Sequence, residues 1–300
     1  MTSRDDVAPH PERTSLLRGL VGTSRPLSWI NTAYPFAAAY LLAGGDRWWL
    51  MAVATVFFLV PYNLAMYGIN DVFDYESDLA NPRKGGVEGI VLDRRLHRAT
   101  LWASALTCLP FVVVLVAAGT LASTSVLAVS LFAVVAYSAR GLRFKEKPVL
   151  DSLTSSTHFV SPAVFAVTLT GGEFTGPVVA VLAAFFAWGA ASQAFGAVQD
   201  VRADRSAGIA SIATVLGARR TVQLAIGGYL LAAVLMLGAG WPGVLGGVIP
   251  LGYAVSVAPF RSITDEDCER ANAGWRRFLW LNMVAGFLIT QLVIIILLQR

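Results

Sequence analysis

An acidic stretch stands directly after a long apolar segment of this 300-residue chain, and it reads Asn70-Asp71-Val72-Phe73-Asp74-Tyr75-Glu76-Ser77-Asp78. A second acidic stretch follows another apolar segment further along, and it reads Gln199-Asp200-Val201-Arg202-Ala203-Asp204. Each begins with an amide residue followed by Asp-Val and then repeats Asp at helical spacing. Carboxylates beside a membrane-depth segment are costly, so the two stretches are predicted to mark a functional site.

The composition indicates an all-α, polytopic membrane protein. Hydrophobic residues make up 56% of the chain and charged residues only 14%, whereas a soluble domain carries about 25% charged residues. Segments of roughly 20 apolar residues are long enough to cross about 30 Å of hydrocarbon. Nine transmembrane helices are predicted, at 26–45, 48–69, 99–119, 121–139, 149–170, 174–198, 220–240, 242–260 and 276–298.

The positive charges predict the orientation in the membrane. If the nine spans alternate, all of the 23 Lys and Arg residues except Arg47 and Arg300 fall on one side, which the positive-inside rule assigns to the cytoplasm. We therefore expect a cell (plasma) membrane protein with a cytosolic tail at 1–25, which lacks the apolar core of a signal peptide. The transmembrane domain would cover 26–300, with the active-site mouth cytoplasmic and the C-terminus outside. Because the basic residues lie in separate loops, no nucleic-acid binding is expected.

The two acidic stretches also suggest an internal repeat, 26–139 and 149–260, with four spans in each half. One stretch closes the second span and the other closes the sixth, so both helices enter the cytoplasmic face in the same direction. Such a parallel repeat could present the acids toward each other across one cavity. Cys108 and Cys268 lie on different elements and are predicted to be packing residues.

The spacing of the acids places them on shared helical faces: Asp71, Asp74 and Asp78 on one, and Asp200 and Asp204 on another. At 4 Å and an effective dielectric constant near 20, each pair of like charges costs roughly 4 kcal/mol, so a cation must offset them. Ligands that are all oxygen indicate a hard cation, Mg²⁺ or alternatively Mn²⁺. Magnesium prefers one or two carboxylates plus water and phosphate oxygens, which predicts a phosphate ester or diphosphate as the natural ligand.

Basic residues stand where such a diphosphate would need them. The residues predicted to bind it are Asn70, Arg83, Lys84, Arg143, Lys145 and Arg205. Each basic residue could instead serve only as an orientation signal, and Glu76 and Asp78 could simply be solvated.

At these residues the chain resembles the UbiA superfamily of intramembrane prenyltransferases. The first stretch fits that family's NDxxDxxxD motif, and Asp200 to Asp204 followed by Gly208 fits its second motif. Tyr137-Ser138 followed by Arg143 and Lys145 is similar to a further family segment.

The resemblance implies a helical barrel in which two Mg²⁺ ions hold a prenyl diphosphate, whose departure leaves an allylic cation for an acceptor to attack. The metal ligands it implies are Asn70, Asp71, Asp74, Asp78, Asp200 and Asp204. The catalytic residues it implies are Asp71, Asp74, Asp200, Asp204, Lys145 and Tyr137.

Two further segments, less specific than the acidic motifs, indicate the acceptor. Asn81 to Gly89 and Ser24 to Pro35 resemble the corresponding parts of the lycopene elongases. This implies transfer of a dimethylallyl group from dimethylallyl diphosphate to the terminal double bond of lycopene, with a carotenoid cyclase as a possible partner. The alternative within the family is an aromatic, quinone-precursor acceptor or another lipid.

An alkene acceptor needs no base to activate it. A base is required only to take a proton from the cation that forms on the acceptor after prenyl transfer. His158 could be that base or a packing residue, and Asp151 could line the cavity. Aromatic candidates for stabilising the cation, which could equally be interfacial belt residues, are Trp29, Tyr34, Tyr62, Phe73 and Tyr137.

Two other classes fit less well. An ion-coupled transporter would place its acids near the membrane midplane on Gly- or Pro-broken helices. A membrane phosphotransferase would show one longer Asp-Gly motif with a nearby Ala-Arg, which the sequence lacks.

Overall fold

The computed structural model describes residues 15–80 and 90–299, and this part of the chain is helical without any β-strand. The α-helices are α1 (Leu16–Thr23), α2 (Ile30–Leu42), α3 (Trp48–Leu59), α4 (Pro61–Phe73), α5 (Tyr75–Ala80), α6 (His97–Ala118), α7 (Leu121–Ser138), α8 (Leu150–Leu169), α9 (Gly176–Val198), α10 (Val201–Ser206), α11 (Ile212–Leu216), α12 (Ala218–Leu235), α13 (Val248–Val257) and α14 (Asn272–Leu298). Short 3₁₀ segments lie at Pro26–Ser28, Arg94–Leu96, Phe144–Glu146, Met236–Ala239, Gly243–Gly247, Ala258–Phe260 and Cys268–Ala271. The predicted all-α class is confirmed.

Within the described ranges, seven segments are long and apolar enough to cross a membrane. They are Trp48–Phe73, Arg94–Ala118, Leu121–Ser138, Gly176–Val198, Ala218–Ala239, Gly243–Phe260 and Cys268–Leu298. The predicted spans at 26–45 and 149–170 are not among them, so the expectation of nine is confirmed only for seven. In the first, α2 has only 13 residues. In the second, α8 carries Ser, Thr, Asp and His side chains that the bundle buries.

A helix break between α3 and α4 shapes the N-terminal half. Pro61 begins α4 and has no N–H to continue α3. The Asn63 amide donates to the carbonyl oxygens of Phe58 (2.8 Å) and Leu59 (3.1 Å), and the Thr32 hydroxyl also donates to Phe58 (2.6 Å). Side chains that supply such hydrogen bonds make a broken helix tolerable in an apolar environment. The break separates α3 from α4, which leads to the first acidic stretch.

The buried side chains of the described residues form two hydrophobic cores, joined through α8. The first draws on α2, α3, α4, α6, α7 and α8, and its largest members are Phe36, Tyr40, Phe57, Phe58, Tyr62 and Phe165. The second draws on α9 to α14, and its largest members are Phe195, Tyr229, Tyr253 and Phe278. Helix α8 packs on α2, α7 and α9. Its polar side chains therefore lie along the seam between the two cores.

Hydrogen bonds at the two ends of the bundle show which helix ends lie together. At one end, the Arg47 guanidinium donates to the carbonyl oxygens of Ala118 and Leu169, both at 3.3 Å, and so ties the start of α3 to the ends of α6 and α8. At the other end, the Asp151 carboxylate accepts from the N–H of Ile212 at 2.8 Å, which ties the start of α8 to α11. Both acidic stretches lie at this second end.

The contact between α8 and α9 depends on a glycine, which yields a first prediction. A Cβ on Gly189 would lie 2.5 Å from the Ser156 hydroxyl and 3.3 Å from its Cα. Alanine is favoured over glycine in helices by about 0.5–1 kcal/mol, but overpacking costs typically about 1–3 kcal/mol. We expect Gly189→Ala to lower the midpoint of thermal unfolding in detergent.

The matched control is Gly227→Ala in α12, where an added Cβ meets no atom of the described chain within 4 Å. This variant should unfold at the wild-type temperature or slightly above it. Equal unfolding temperatures for the two variants would show that the close approach of α8 and α9 is not required.

Candidate active site

Neither acidic stretch forms the continuous helix that its spacing predicts. Helix α4 ends at Phe73 and α5 begins at Tyr75, with Asp74 at the junction (φ −101°, ψ 3°). Asp200 occupies the matching junction between α9 and α10 with almost the same backbone angles (φ −99°, ψ −4°). Aspartate and asparagine side chains compete with the helical backbone for hydrogen bonds, which favours such interruptions. The likeness of the two stretches therefore extends from sequence to backbone conformation.

Asp71 is fully buried and is held by residues that precede α2. Its carboxylate accepts a hydrogen bond from the Thr23 hydroxyl at 2.7 Å and pairs with the Arg25 guanidinium at 3.1 Å. The same guanidinium lies over the Tyr67 ring, 4.2 Å from its centroid. Burial alone would lower the pKa of Arg25, but the charges of Asp71 and its neighbours raise it above the ordinary value, so Arg25 remains cationic.

Asp74 receives its cations from the turn between α7 and α8. Lys145 forms an ion pair with the Asp74 carboxylate, and the Arg143 guanidinium lies 3.8 Å from it. Arg143 also donates to the Phe73 carbonyl oxygen at 3.5 Å and pairs with Glu146. The hydrogen bond from Arg143 lowers the pKa of the Glu146 carboxyl, which keeps that pair ionised. Two of the predicted basic residues thus contact the first stretch.

The end of α7 completes the surroundings of the first stretch. The Ser138 hydroxyl donates to the Asn70 side-chain oxygen at 3.0 Å. The adjacent Tyr137 hydroxyl accepts from the Gln193 amide of α9 at 3.3 Å. Asp78 is buried on α5, only 7% exposed. The structure therefore brings these predicted residues of the first motif together with Tyr137, Arg143 and Lys145 at one end of the bundle.

The second stretch lies at the same end and is anchored to α14. Asp200 and Asp204 are both half-buried, and the Asp204 N–H donates to the Asp200 carbonyl oxygen at 2.8 Å. The side-chain oxygen of Gln199 accepts from the Asn272 amide at 2.7 Å. This bond fixes the end of α9 against α14 and sets the position from which Asp200 projects.

Arg205, directly after the second stretch, bonds α11 and the segment that precedes α14. Its guanidinium donates to the Thr214 carbonyl oxygen at 2.8 and 3.1 Å and pairs with Asp265 at 2.6 Å. The Ala218 N–H donates to the same Asp265 carboxylate and, together with Arg205, lowers its pKa. These contacts hold α10 to α11 directly and to the start of α12 through Asp265. The predicted binding of diphosphate by Arg205 stays a prediction.

Several predicted residues have other outcomes. Arg83 and Lys84 lie outside the described residues. The carboxylate of Asp151, a candidate for lining the cavity, accepts from the backbone N–H groups of Ser152 and Ile212.

Sequence reasoning missed Thr23 and Arg25. The available signal was a basic residue directly before Pro26, at the start of the first predicted span.

The side-chain oxygen atoms at this end of the bundle are suitable ligands for a hard cation. In 15–80 and 90–299, no group of three or more His, Cys, Asp or Glu side chains converges closely enough to hold a metal ion by itself. Mg²⁺ rarely occupies an all-protein cage and takes part of its shell from phosphate and water. Buried carboxylates with nearby guanidinium and ammonium groups suit a metal–diphosphate ligand of that kind.

Solved structures share this fold. A UbiA homologue from Archaeoglobus fulgidus, solved bound to DMAPP and Mg²⁺, superposes with a TM-score of 0.65 at 16% identity, covering 89% of this chain and 99% of that one. An apo UbiA homologue from Aeropyrum pernix superposes with a TM-score of 0.60 at 16% identity, covering 93% and 99%.

Sequence comparison gives closer relatives. The chain is 59% identical over 294 residues to a C(50) beta-cyclic carotenoids biosynthesis protein from Dietzia sp., covering 97% of this chain and 68% of that protein. It is 54% identical over 280 residues to the lycopene elongase/hydratase of Corynebacterium glutamicum, covering 93% and 98%. The model of the UbiA prenyltransferase family matches residues 32–283. This multi-pass membrane protein therefore belongs to the UbiA prenyltransferase family.

Proposed function

We propose that this prenyltransferase transfers a dimethylallyl group from dimethylallyl diphosphate to the terminal double bond of lycopene, as a lycopene elongase of C50 carotenoid biosynthesis. The observation that carries the proposal is the 54% identity to a lycopene elongase/hydratase over 98% of that relative's length. Identity that spans both chains almost completely is expected when donor and acceptor sites are both shared.

The donor site consists of the two acidic stretches and the cations around them. Mg²⁺, or Mn²⁺ in its place, would supply positive charge that stabilises the leaving diphosphate, and the residues that would hold it are Asn70, Asp71, Asp74, Asp78, Asp200 and Asp204. Lys145 and Arg143 already lie beside Asp74. From there their donors can reach diphosphate oxygens and stabilise the charge that develops as the carbon–oxygen bond breaks.

The acceptor side requires little activating chemistry. The π electrons of an alkene attack the allylic carbon directly, so no base has to remove a proton first. The Tyr137 ring belongs to the residue next to Ser138, which bonds Asn70, and can stabilise positive charge through its face. A long apolar acceptor fits a bundle in which seven described segments are apolar enough to face lipid. A carotenoid cyclase that acts on the product stays a prediction.

We further propose that the acidic end of the bundle faces the cytoplasm of the plasma membrane and that the C-terminus lies outside. The support is the charge distribution, in which Arg47 binds helix ends at the opposite end of the bundle. Water-soluble dimethylallyl diphosphate would then enter from the side on which it is made.

The reaction itself tests the proposal. Purified protein in detergent is incubated with lycopene, dimethylallyl diphosphate and Mg²⁺, and the pigments are analysed by mass spectrometry. The proposal expects an added C₅H₈ at each end, with a further H₂O wherever water is captured. Unchanged lycopene, under conditions in which an aromatic acceptor is prenylated, would overturn the carotenoid assignment.

The acidic residues give a second prediction. Asp71→Asn, Asp74→Asn and Asp200→Asn should each abolish detectable turnover, because each removes a charge that would share in holding the metal and diphosphate. The control is Glu173→Gln, an exposed acid in the loop between α8 and α9, which should keep wild-type activity. Near-normal turnover in any of the three Asp variants at matched expression would remove that residue from the site.

Lys145 gives a third prediction. A hydrogen bond to a charged group contributes about 1.5–3 kcal/mol, so Lys145→Ala should raise the KM for dimethylallyl diphosphate roughly tenfold or more. Arg220→Ala, an exposed basic residue at the start of α12, is the control and should leave the KM unchanged. An unaltered KM in Lys145→Ala would remove Lys145 from diphosphate binding and leave it only its ion pair with Asp74.

A further inference from the structure

Side chains from three neighbouring helices meet in a polar cluster inside the bundle, next to the donor site. The cluster consists of Tyr137 on α7, Ser155 and His158 on α8, and Gln193 on α9. Gln193 donates to the Tyr137 hydroxyl at 3.3 Å and accepts from the Ser155 hydroxyl at 3.0 Å. The Tyr137 and His158 rings meet edge to face, with centroids 5.2 Å apart.

The position of the cluster relates it to both acidic stretches. His158 lies seven residues after Asp151, and Gln193 lies seven residues before Asp200. At 1.5 Å per helical residue, both side chains lie about 10 Å deeper in the bundle than its acidic end. This is the range of a bound diphosphate followed by the first carbon atoms of its prenyl chain.

His158 is the member of the cluster that can act as a base, and binding of the donor assigns it no role. Its side chain is 3% exposed, and within the described part of the chain its Nε2 atom has no hydrogen-bond partner. Buried polar atoms are nearly always hydrogen-bonded, and leaving one unpaired costs about 1–3 kcal/mol. Tyr137 and Gln193 are only half-buried, so the cluster is not fully enclosed by protein. The imidazole hydrogen-bonds the Ala133 backbone through its other nitrogen, which leaves Nε2 as the acceptor atom of the ring.

We infer that His158 Nε2 is the proton acceptor that discharges the acceptor-derived cation after prenyl transfer. This inference rests on the proposed function and adds a residue that acts on the second half of the reaction. Tyr137 packs on the imidazole and Gln193 holds the Tyr137 hydroxyl, so both are positioning residues.

The acceptor π electrons form the new carbon–carbon bond, the donor carbon–oxygen bond breaks, and its electron pair leaves with diphosphate. Positive charge then resides on a tertiary carbon of the acceptor. Either a neighbouring C–H bond gives its electrons to a new double bond, or a water oxygen bonds to the cation. In both cases one proton is released, and His158 Nε2 accepts it.

The test is His158→Gln, which keeps a polar side chain of related size but cannot act as a base. General-base catalysis contributes about 10²–10⁴-fold, so turnover should fall by about 100-fold or more while the affinity for dimethylallyl diphosphate in Mg²⁺ stays unchanged. The residual products should shift in their double-bond position or in their content of added water. The control is Thr157→Val, the adjacent residue, whose hydroxyl only bonds the carbonyl oxygen of Leu153 in its own helix.

Wild-type turnover and wild-type products from His158→Gln would overturn the inference, as would a loss of activity fully explained by weaker donor binding. If His158→Gln does not accumulate, Tyr137→Phe keeps the ring that packs on His158 and should give the same product shift. An unchanged product ratio in Tyr137→Phe would then count against the cluster. Failure of the proposed function is distinguishable, because the wild-type protein would leave lycopene unaltered.

Discussion

Buried negative charge at one end of a helical bundle is the constraint on which this structure depends. Asp71 is fully buried and Asp74 is only 7% exposed, and an uncompensated carboxylate in such surroundings would be strongly destabilising. The chain supplies Arg25 from one side and Lys145 with Arg143 from the other. Both arginines have the left-handed backbone (φ 53° and 40°), which a residue with a side chain adopts at a cost of about 1–3 kcal/mol when surrounding contacts enforce it. The backbone of these two turns is therefore strained, and this conformation places the cations beside the acids.

The remaining architecture follows from placing those groups. The break at Pro61, stabilised by side-chain hydrogen bonds, starts the separate helix α4 that ends at the first acidic stretch. The turn carrying Lys145 is fixed by α8, whose start is bonded to Ile212 just after the second acidic stretch. Helix association in lipid relies on close packing at small residues, and Gly189 allows α9 to approach Ser156. This contact lies one turn from Gln193, so packing of the seam also sets the polar cluster around His158.

Local patterns predicted much of this arrangement, and tertiary contacts decided the rest. Paired acidic motifs and loop charges predicted the family and placed both stretches at one end, because these signals are contained in short segments. The interruptions at Asp74 and Asp200 were not predicted, since helical spacing alone assumes an unbroken helix. The ion pair of Arg205 with Asp265 was not predicted, because Asp265 lies 60 residues away in sequence. Thr23 and Arg25 were missed for the same reason. Helix α8 is too polar to register as a membrane span because the bundle, rather than lipid, surrounds it.

We propose that the two acidic stretches form one donor site. Calorimetric titration of dimethylallyl diphosphate in Mg²⁺ tests it, using wild type, Asp74→Asn, Asp200→Asn and the double variant as a thermodynamic cycle. Residues that act on one ligand are not additive, whereas independent sites add within about 0.3–0.5 kcal/mol. One shared site predicts that either single substitution removes most of the Mg²⁺-dependent affinity and that the double variant loses little more. Additive losses, or wild-type affinity in either single variant, would contradict the claim.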